Sequence, residues 1–294
     1  MKRPVFQGAG TAIITPFAGS AVDYGRLEQQ LDFQLEHGIN AIIVCGTTGE
    51  SSTMTFEEQK KTIAHCVKHV NGRCVVIGGT GGNNTAAVLE KSKSAAGDGV
   101  DALLLVTPYY NKCTQNGLVE HYTYIADRVD VPVIVYNVPS RTGVNVSEAS
   151  YITMSRHPNI NGVKEASGET AKVARTVAAC GEDFHVWSGN DDQIVPLMAL
   201  GAKGVISVLS NVCPAETVAM AKACLADDYE MARSLQLRYM ALIDALFYEV
   251  NPIPVKTAMK LLGMDSGLLR MPLSDMEPQN IEKLRTAMVR VGLL

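Results

Sequence analysis

Three observations predict an α/β fold, a (β/α)₈ TIM barrel with a C-terminal helical extension. The chain has eight short apolar runs, helical segments between them, and a length of 294 residues that suits one large barrel. Each run is rich in β-branched residues and almost continuously hydrophobic, as expected of strands buried on both faces. The runs occupy residues 9–15, 41–45, 74–78, 102–107, 132–136, 160–164, 184–188 and 204–208.

Amphipathic segments with helical spacing lie between the apolar runs. The first begins at Asp23 and stops at Gly38, and its predicted buried face consists of Leu27, Leu31, Phe33 and Leu35. The second begins at Thr55, with Glu57 and Glu58 in its first turn, where acidic side chains suit the helix dipole. Further helices are predicted near residues 85–96, 115–128, 147–156, 169–180, 191–200 and 214–225.

A doubly wound open sheet also alternates strands with helices and is the competing fold. The count of eight strands and the lack of a second-domain signal favour the barrel. After residue 226 the strand pattern ends, and helices are predicted near residues 228–249, 253–263 and 278–291. We therefore expect a catalytic barrel over residues 1–226 and a helical region over residues 227–294 that packs on it.

Composition narrows the function classes. The net charge of −4, without a basic cluster, argues against nucleic-acid binding. No apolar run reaches 18 residues, so a membrane span is not expected. The seven cysteines are scattered and form no C-x-x-C pair, which favours reduced thiols in the cytoplasm over a disulfide or zinc framework.

Lys164 is the main candidate for chemistry, because barrel enzymes place their sites at the C-terminal ends of the strands. Lys164 ends an apolar run, and strand alternation puts it on the same side as Gly162, whose small size should leave room for the lysine. Partial desolvation would lower the pKa of the ammonium group and free the amine to attack a carbonyl. The alternative is a solvated lysine paired with Glu165.

Tyr136 ends the preceding run and is in phase with Ile134, so it can point into the barrel beside Lys164. A phenol in that position can move protons during imine formation and dehydration. The alternative is a core tyrosine whose hydroxyl is satisfied by a hydrogen bond.

Two further features suit acidic groups on a substrate. The turn Gly46-Thr47-Thr48-Gly49 offers backbone N–H groups and two hydroxyls. Arg141, five residues after Tyr136, offers a guanidinium that can bind a carboxylate with two hydrogen bonds. A plain βα turn and a surface ion pair are the respective alternatives.

Three motifs resemble ligand sites without completing them. His65 and His69 have the spacing of a metal pair on a helix but lack the glutamate of a zinc hydrolase motif. The run GGTGGNN departs from the dinucleotide pattern at Asn84. We interpret Asp191 and Asp192 as a helix N-cap rather than as magnesium ligands. The sequence thus predicts neither a metal nor an organic cofactor.

Five motifs carry a family resemblance that extends from about residue 5 to the C-terminus. They are GTTGES at 46–51, TPYYN at 107–111, YNVPSRTG at 136–143, GVKEASG at 162–168 and NPIPVK at 251–256. Together they resemble the dihydrodipicolinate synthase family. The resemblance implies a homotetramer (a dimer of dimers) that condenses pyruvate with L-aspartate 4-semialdehyde in the diaminopimelate and lysine pathway.

The resemblance also implies roles for particular residues. Lys164 matches the Schiff-base lysine, and a proton relay is implied for Tyr136, Thr47 and Tyr110, with Tyr110 reaching in from a neighbouring subunit. Thr48 matches a contact to the pyruvate carboxylate, and Arg141 matches a contact to the semialdehyde carboxylate. Gly189 and Ile206 match positions that line the site.

Some relatives are inhibited by lysine between subunits, and Ser51, Asn83 and Tyr109 match that allosteric site. Three other positions depart from the pattern of the inhibited relatives. Phe56 and Gln59 stand where those relatives have histidines, and Ala87 stands where they have a glutamate. Because Ala87 cannot balance an ammonium charge, we expect inhibition by lysine to be weak or absent.

Two rival functions remain open on sequence grounds. Another pyruvate-dependent class I aldolase, of the N-acetylneuraminate lyase or 2-keto-3-deoxy sugar acid type, would keep Lys164 and Tyr136. Arg141 argues against that reading. A binding or regulatory protein on a retained barrel is the second rival, and the intact set of catalytic residues argues against it.

Overall fold

Eight parallel strands close into a barrel in the computed structural model, which describes residues 2–294. The predicted (β/α)₈ fold is therefore confirmed. Around the ring, the strands are β1 (Gly8–Ala12), β10 (Gly204–Ser207), β9 (His185–Ser188), β8 (Ile160–Glu165), β7 (Val133–Asn137), β6 (Ala102–Val106), β5 (Val75–Gly79) and β4 (Ala41–Val44). A small antiparallel hairpin, β2 (Phe17–Ala18) and β3 (Ala21–Val22), follows the first barrel strand.

Helices connect the strands and then continue past the barrel. The barrel helices are α1 (Tyr24–Glu36), α2 (Phe56–Val70), α3 (Thr85–Gly97), α4 (Gln115–Ala126), α5 (Pro139–Thr142), α6 (Glu148–Ser155), α7 (Thr170–Cys180), α8 (Ile194–Ala199) and α9 (Pro214–Leu225). The C-terminal helices are α10 (Tyr229–Ala245), α11 (Ile253–Leu261) and α12 (Pro278–Val291). No helix within residues 2–294 is both long enough and apolar enough to cross a membrane.

Local sequence signals explain where helices begin. Thr55 and Glu58 form a reciprocal capping box at the start of α2, which satisfies backbone N–H groups that the first turn leaves free. The Asn84 side chain accepts hydrogen bonds from two backbone N–H groups at the start of α3. These caps hold the loops at the C-terminal ends of β4 and β5, where the candidate site lies.

The barrel interior has an apolar cluster of its own, separate from the layer between strands and helices. Phe6 stacks on Trp187 with 5.3 Å between ring centroids, and the indole N–H donates to the Phe6 carbonyl. Ile134, Tyr136 and Ile206 belong to the same interior cluster. The barrel is thus a packed core beneath its mouth, as this fold requires.

The first predicted run was too long, because β1 ends at Ala12. Ile14 is buried in a third cluster, which the C-terminal helices build. Ile14 and Thr15, whose carbonyl accepts from Lys256, therefore join the barrel to the C-terminal region, a role that apolar periodicity does not distinguish from strand.

The buried face of α1 also differs from the prediction. Phe33 and Leu35 are only partly buried, whereas Gln30 and Gln34 are buried. Gln34 accepts a hydrogen bond from Thr11 and donates one to the Ser210 carbonyl. Because these bonds satisfy its amide, a polar residue occupies a position that hydrophobic patterning assigns to an apolar one.

Gly162, which we expected to leave room for Lys164, serves the packing of two strands instead. A Cβ atom there would lie 2.0 Å from the backbone oxygen of His185, on the neighbouring strand β9. The glycine is therefore needed for the close approach of β8 to β9, and the room for Lys164 comes from elsewhere.

Candidate active site

Lys164 lies at the mouth of the barrel, on β8, with only 5% of its surface exposed. It pairs in register with Tyr136 on β7, and its Nζ lies 4.4 Å from the centroid of the Tyr136 ring. The predicted neighbourhood of the amine and the phenol is present in the structure, and it follows directly from the pairing of two adjacent strands.

The environment lowers the pKa of Lys164 to about 8, mainly because burial disfavours the charged ammonium. The Asp191 carboxylate opposes that change, and the Arg141 guanidinium adds to it. About a tenth of the amine is therefore unprotonated at pH 7, far more than for an ordinary lysine, and the unprotonated form is the one that attacks a carbonyl carbon.

Glu165 does not pair with Lys164, so the alternative raised by the sequence is wrong. The buried Glu165 carboxylate accepts hydrogen bonds from Asn137 and from the Tyr151 hydroxyl, each at 2.8 Å, and lies 3.8 Å from Lys172. Adjacent residues on a strand face opposite sides of the sheet. Lys164 consequently points into the barrel mouth without a carboxylate in contact.

Gly189, at the end of β9, provides the room for the lysine. A Cβ atom at this position would lie 3.2 Å from Lys164 Cε and 2.7 Å from Ala166 Cβ. Ile206 on β10 is fully buried within the interior cluster. Both predicted lining positions thus belong to the walls around or beneath the amine.

Tyr136 is buried, and burial raises the pKa of its hydroxyl. Arg141 and a hydrogen bond with the Thr47 side chain both oppose that rise. The phenol is therefore protonated at neutral pH and connected to a second hydroxyl, as a group that passes protons must be. The structure brings Lys164, Tyr136 and Thr47 together.

The C-terminal region contributes directly to the site through Asn251, which sequence reasoning missed. The Asn251 amide donates to Thr48 Oγ1 at 2.9 Å, and its backbone oxygen accepts from the Arg141 guanidinium at 3.2 Å. One residue thus positions both side chains that were predicted to bind carboxylates. The sequence signal was the NPIPVK motif, which we interpreted only as a helix breaker and a family marker.

A buried ion pair also holds the C-terminal region to the loop after β4. Lys256, on α11, is fully buried and donates to Glu50 at 2.7 Å and to the carbonyls of Thr15 and Leu268. The other carboxylate oxygen of Glu50 accepts from the Arg270 backbone N–H. Breaking such a pair typically costs about 3–5 kcal/mol, because the remaining charge stays buried.

Tyr110 is the one proposed relay member that the structure does not bring to Lys164. Its side chain is 91% exposed, and its backbone has a φ of 72°, in the left-handed region that non-glycine residues rarely adopt. Among the described residues, its side chain makes no hydrogen bond with Thr47 or Tyr136.

The residues matched to a lysine-binding site lie beside the mouth. The Asn83 amide donates to the Tyr109 carbonyl at 3.1 Å, and Ser51 and Tyr109 line one cavity of about 230 Å³. Gln59 lines the same cavity, and its amide donates to the Ser51 carbonyl.

Asp191 is not the N-cap that the sequence indicated. Asn190 occupies the cap position of the short 3₁₀ turn, and the Asp191 carboxylate is buried. It accepts hydrogen bonds from the backbone N–H groups of Val208 and Leu209, just beyond β10. The carboxylate thus joins the ends of two strands and acts electrostatically on Lys164.

The two histidines spaced as a metal pair contact carboxylates on α1 instead. His65 Nε2 lies 3.1 Å from Glu28, and His69 Nε2 lies 2.8 Å from Asp32. Across residues 2–294, no group of three or more histidine, cysteine or acidic side chains is arranged to hold a metal ion.

A buried amine of lowered pKa beside a phenol, at the mouth of a (β/α)₈ barrel, defines an enzyme that forms an imine with a carbonyl substrate. The chain belongs to the dihydrodipicolinate synthetase family, whose model matches residues 5–290.

Individual relatives agree with this assignment over their whole length. The chain is 51% identical to the 4-hydroxy-tetrahydrodipicolinate synthase of Thermoanaerobacter sp. (strain X514), covering 99% of this chain and 98% of that one. It superposes on the dihydrodipicolinate synthase of Aquifex aeolicus with a TM-score of 0.96, at 45% identity, covering 98% and 99% of the two chains. A synthase variant described as monomeric gives a TM-score of 0.97 at 42% identity, covering 99% and 98%.

Replacing Asp191 tests the electrostatic account of Lys164. Because the Asp191 carboxylate raises the pKa of Lys164, we expect Asp191→Asn to lower it, so that the amine loses its proton at a lower pH. The titration can be followed by NMR after reductive methylation with ¹³C-formaldehyde. Asp192→Asn, which alters the adjacent carboxylate, is the matched control. An unchanged or higher pKa in Asp191→Asn would contradict the account.

Proposed function

We propose that this chain acts as a 4-hydroxy-tetrahydrodipicolinate synthase, a lyase that condenses pyruvate with L-aspartate 4-semialdehyde through an imine on Lys164. The observation that carries the proposal is the buried Lys164 amine, of lowered pKa, 4.4 Å from the Tyr136 ring. Family membership and relatives with this activity support the same reaction.

The reaction begins when the Lys164 amine attacks the ketone carbon of pyruvate. A carbinolamine forms, loses water and becomes a protonated imine, which is the electron sink for the next step. A proton then leaves the methyl group to give an enamine. In this proposal Tyr136, whose hydrogen bond with the Thr47 side chain supports the assignment, accepts and returns these protons.

Carbon–carbon bond formation completes the condensation. The enamine carbon attacks the aldehyde carbon, and the resulting alkoxide takes up a proton to become a hydroxyl group. The amino group of the semialdehyde then attacks the imine carbon, closes the ring and displaces Lys164. One water molecule is released for each product, and the lysine returns to its starting form.

The two substrate carboxylates have separate partners in this proposal. Thr48, whose hydroxyl is held by Asn251, is assigned to pyruvate, and Arg141 is assigned to the semialdehyde. Gly189, next to the Lys164 side chain, and Ile206, in the interior cluster, are assigned to the walls of the site. The guanidinium can bind a carboxylate with two parallel hydrogen bonds, which favours an acidic aldehyde over a neutral sugar.

An acceptor panel tests the activity. We expect turnover of pyruvate with L-aspartate 4-semialdehyde and little or none with N-acetylmannosamine or a neutral glyceraldehyde. Arg141→Lys, which keeps the charge but loses the planar fork, should raise KM for the semialdehyde more than KM for pyruvate. Faster turnover of a sugar acceptor would assign the chain to the other pyruvate-dependent aldolases instead.

The proposed relay needs a second copy of the chain. Tyr110 is exposed and makes no side-chain hydrogen bond with the described residues, so in this proposal it completes the relay at Thr47 of a neighbouring copy. We therefore propose a homo-oligomer, a tetramer built as a dimer of dimers, that acts in the cytoplasm.

Hybrid oligomers test the role of Tyr110. We expect Tyr110→Phe to lower kcat by about 100-fold or more, as the loss of a proton-transfer group does. Mixing it with an inactive Lys164→Ala variant should restore activity, because the second chain supplies an intact Tyr110. Tyr124→Phe, at another exposed tyrosine, is the control. No restoration after verified subunit exchange would contradict a contribution across the interface.

Inhibition by lysine is proposed to be weak or absent. Ser51, Asn83 and Tyr109 are present around the candidate allosteric cavity, but Ala87 supplies no carboxylate for the ammonium group of lysine. Initial rates measured with increasing L-lysine check this proposal. Half-inhibition at sub-millimolar lysine would count against it.

A further inference from the structure

The charged side chains that line the cavity beside the barrel mouth are all basic, although the protein has a net charge of −4. Among the described residues that line its 230 Å³, two are basic, Lys91 and Arg141, and none is aspartate or glutamate. A concave space with one sign of charge concentrates ions of the opposite sign. The cavity is therefore suited to an anion and unsuited to a free amine.

Lys91, on α3, is half-buried, and its side chain makes no ion pair or hydrogen bond with any of residues 2–294. The more deeply buried lysines Lys172 and Lys256, in contrast, have carboxylate neighbours. Burial raises the pKa of the Cys45 thiol to about 12, and the Lys91 ammonium opposes that rise. The charge of Lys91 thus acts on the strand end from which the loop of Thr47 departs.

Neutral donors surround this ammonium group. The hydroxyls of Ser51 and Ser52 line the cavity, and neither donates to another described residue. The Gln59 amide is fixed by its hydrogen bonds to the carbonyls of Ser51 and Met54. An ammonium and free hydroxyls are groups that recognise carboxylate oxygens.

The Lys91 end of the cavity extends beyond the space next to Tyr136. A smaller space of about 40 Å³ includes Tyr136 and adjoins the large cavity, with which it shares Thr47, Ser51, Gly79, Gly81 and Val106. Lys91, Ser52 and Gln59 line only the large one. A molecule held by Lys91 would therefore not occupy the position of the imine.

We propose that this cavity binds a small dicarboxylate as an effector, with Lys91 as the cation that recognises it. The cavity, at about 230 Å³, is smaller than the pockets that bind drug-sized ligands, so it suits a compact metabolite. Because Thr47 and Arg141 also line the cavity, an anion bound there would act on the groups that serve the reaction.

Succinate is a suitable probe, because it has two carboxylates and no carbonyl that could form an imine with Lys164. Isothermal titration calorimetry should show binding to the wild-type protein, and binding at least about ten-fold weaker to Lys91→Met, since a charged hydrogen bond is lost. Lys91→Arg should retain most of the affinity. Lys93→Met, at an exposed lysine on the same helix, should bind as the wild type does.

Three results would overturn the proposal. They are the absence of succinate binding to the wild-type protein, equal affinity in Lys91→Met and wild type, and tighter binding of the diamine cadaverine than of succinate. Equal affinity would mean that succinate binds only at the substrate carboxylate sites. The titration involves no turnover, so it remains decisive even if the proposed lyase activity is not found.

Discussion

The burial of one ammonium group at the mouth of a closed barrel is the constraint on which the site depends. The strands leave little water around Lys164, and the difference between its ordinary pKa and a value of about 8 corresponds to about 3 kcal/mol. The surroundings act in both directions, since Asp191 stabilises the charged form and Arg141 destabilises it. Within one pH range, the free amine can lose its proton and act as a nucleophile, and the imine formed from it can be protonated.

The C-terminal helices are part of this arrangement rather than an addition to it. The Lys256–Glu50 pair joins α11 to the loop after β4, and Asn251 contacts both Thr48 and Arg141. Glu50 has a left-handed backbone with a φ of 54°, so the loop conformation depends on contacts that compensate its strain. Chemistry at the barrel mouth is consequently coupled to a segment more than 80 residues after Lys164 in sequence.

Periodicity was enough to predict the eight strands, the closed barrel and the pairing of Tyr136 with Lys164. These features follow from local apolar patterns and from the rule that adjacent strand ends meet. Contacts across the fold could not be predicted in the same way. Asn251 and Lys256 reach the site from the C-terminal region, and Asp191 turns inward because two backbone N–H groups beyond β10 bind it. Gly162 was singled out from the sequence as room for Lys164, but its small size serves the close approach of β8 to β9.

Trapping the imine tests the central claim most directly. The protein is incubated with pyruvate and borohydride, and its intact mass and peptide map are then measured. We predict one reduced pyruvyl adduct per chain, located on Lys164 and absent from the buried Lys256 and from Lys172. Folded protein without an adduct, or with the adduct on another lysine, would contradict the account.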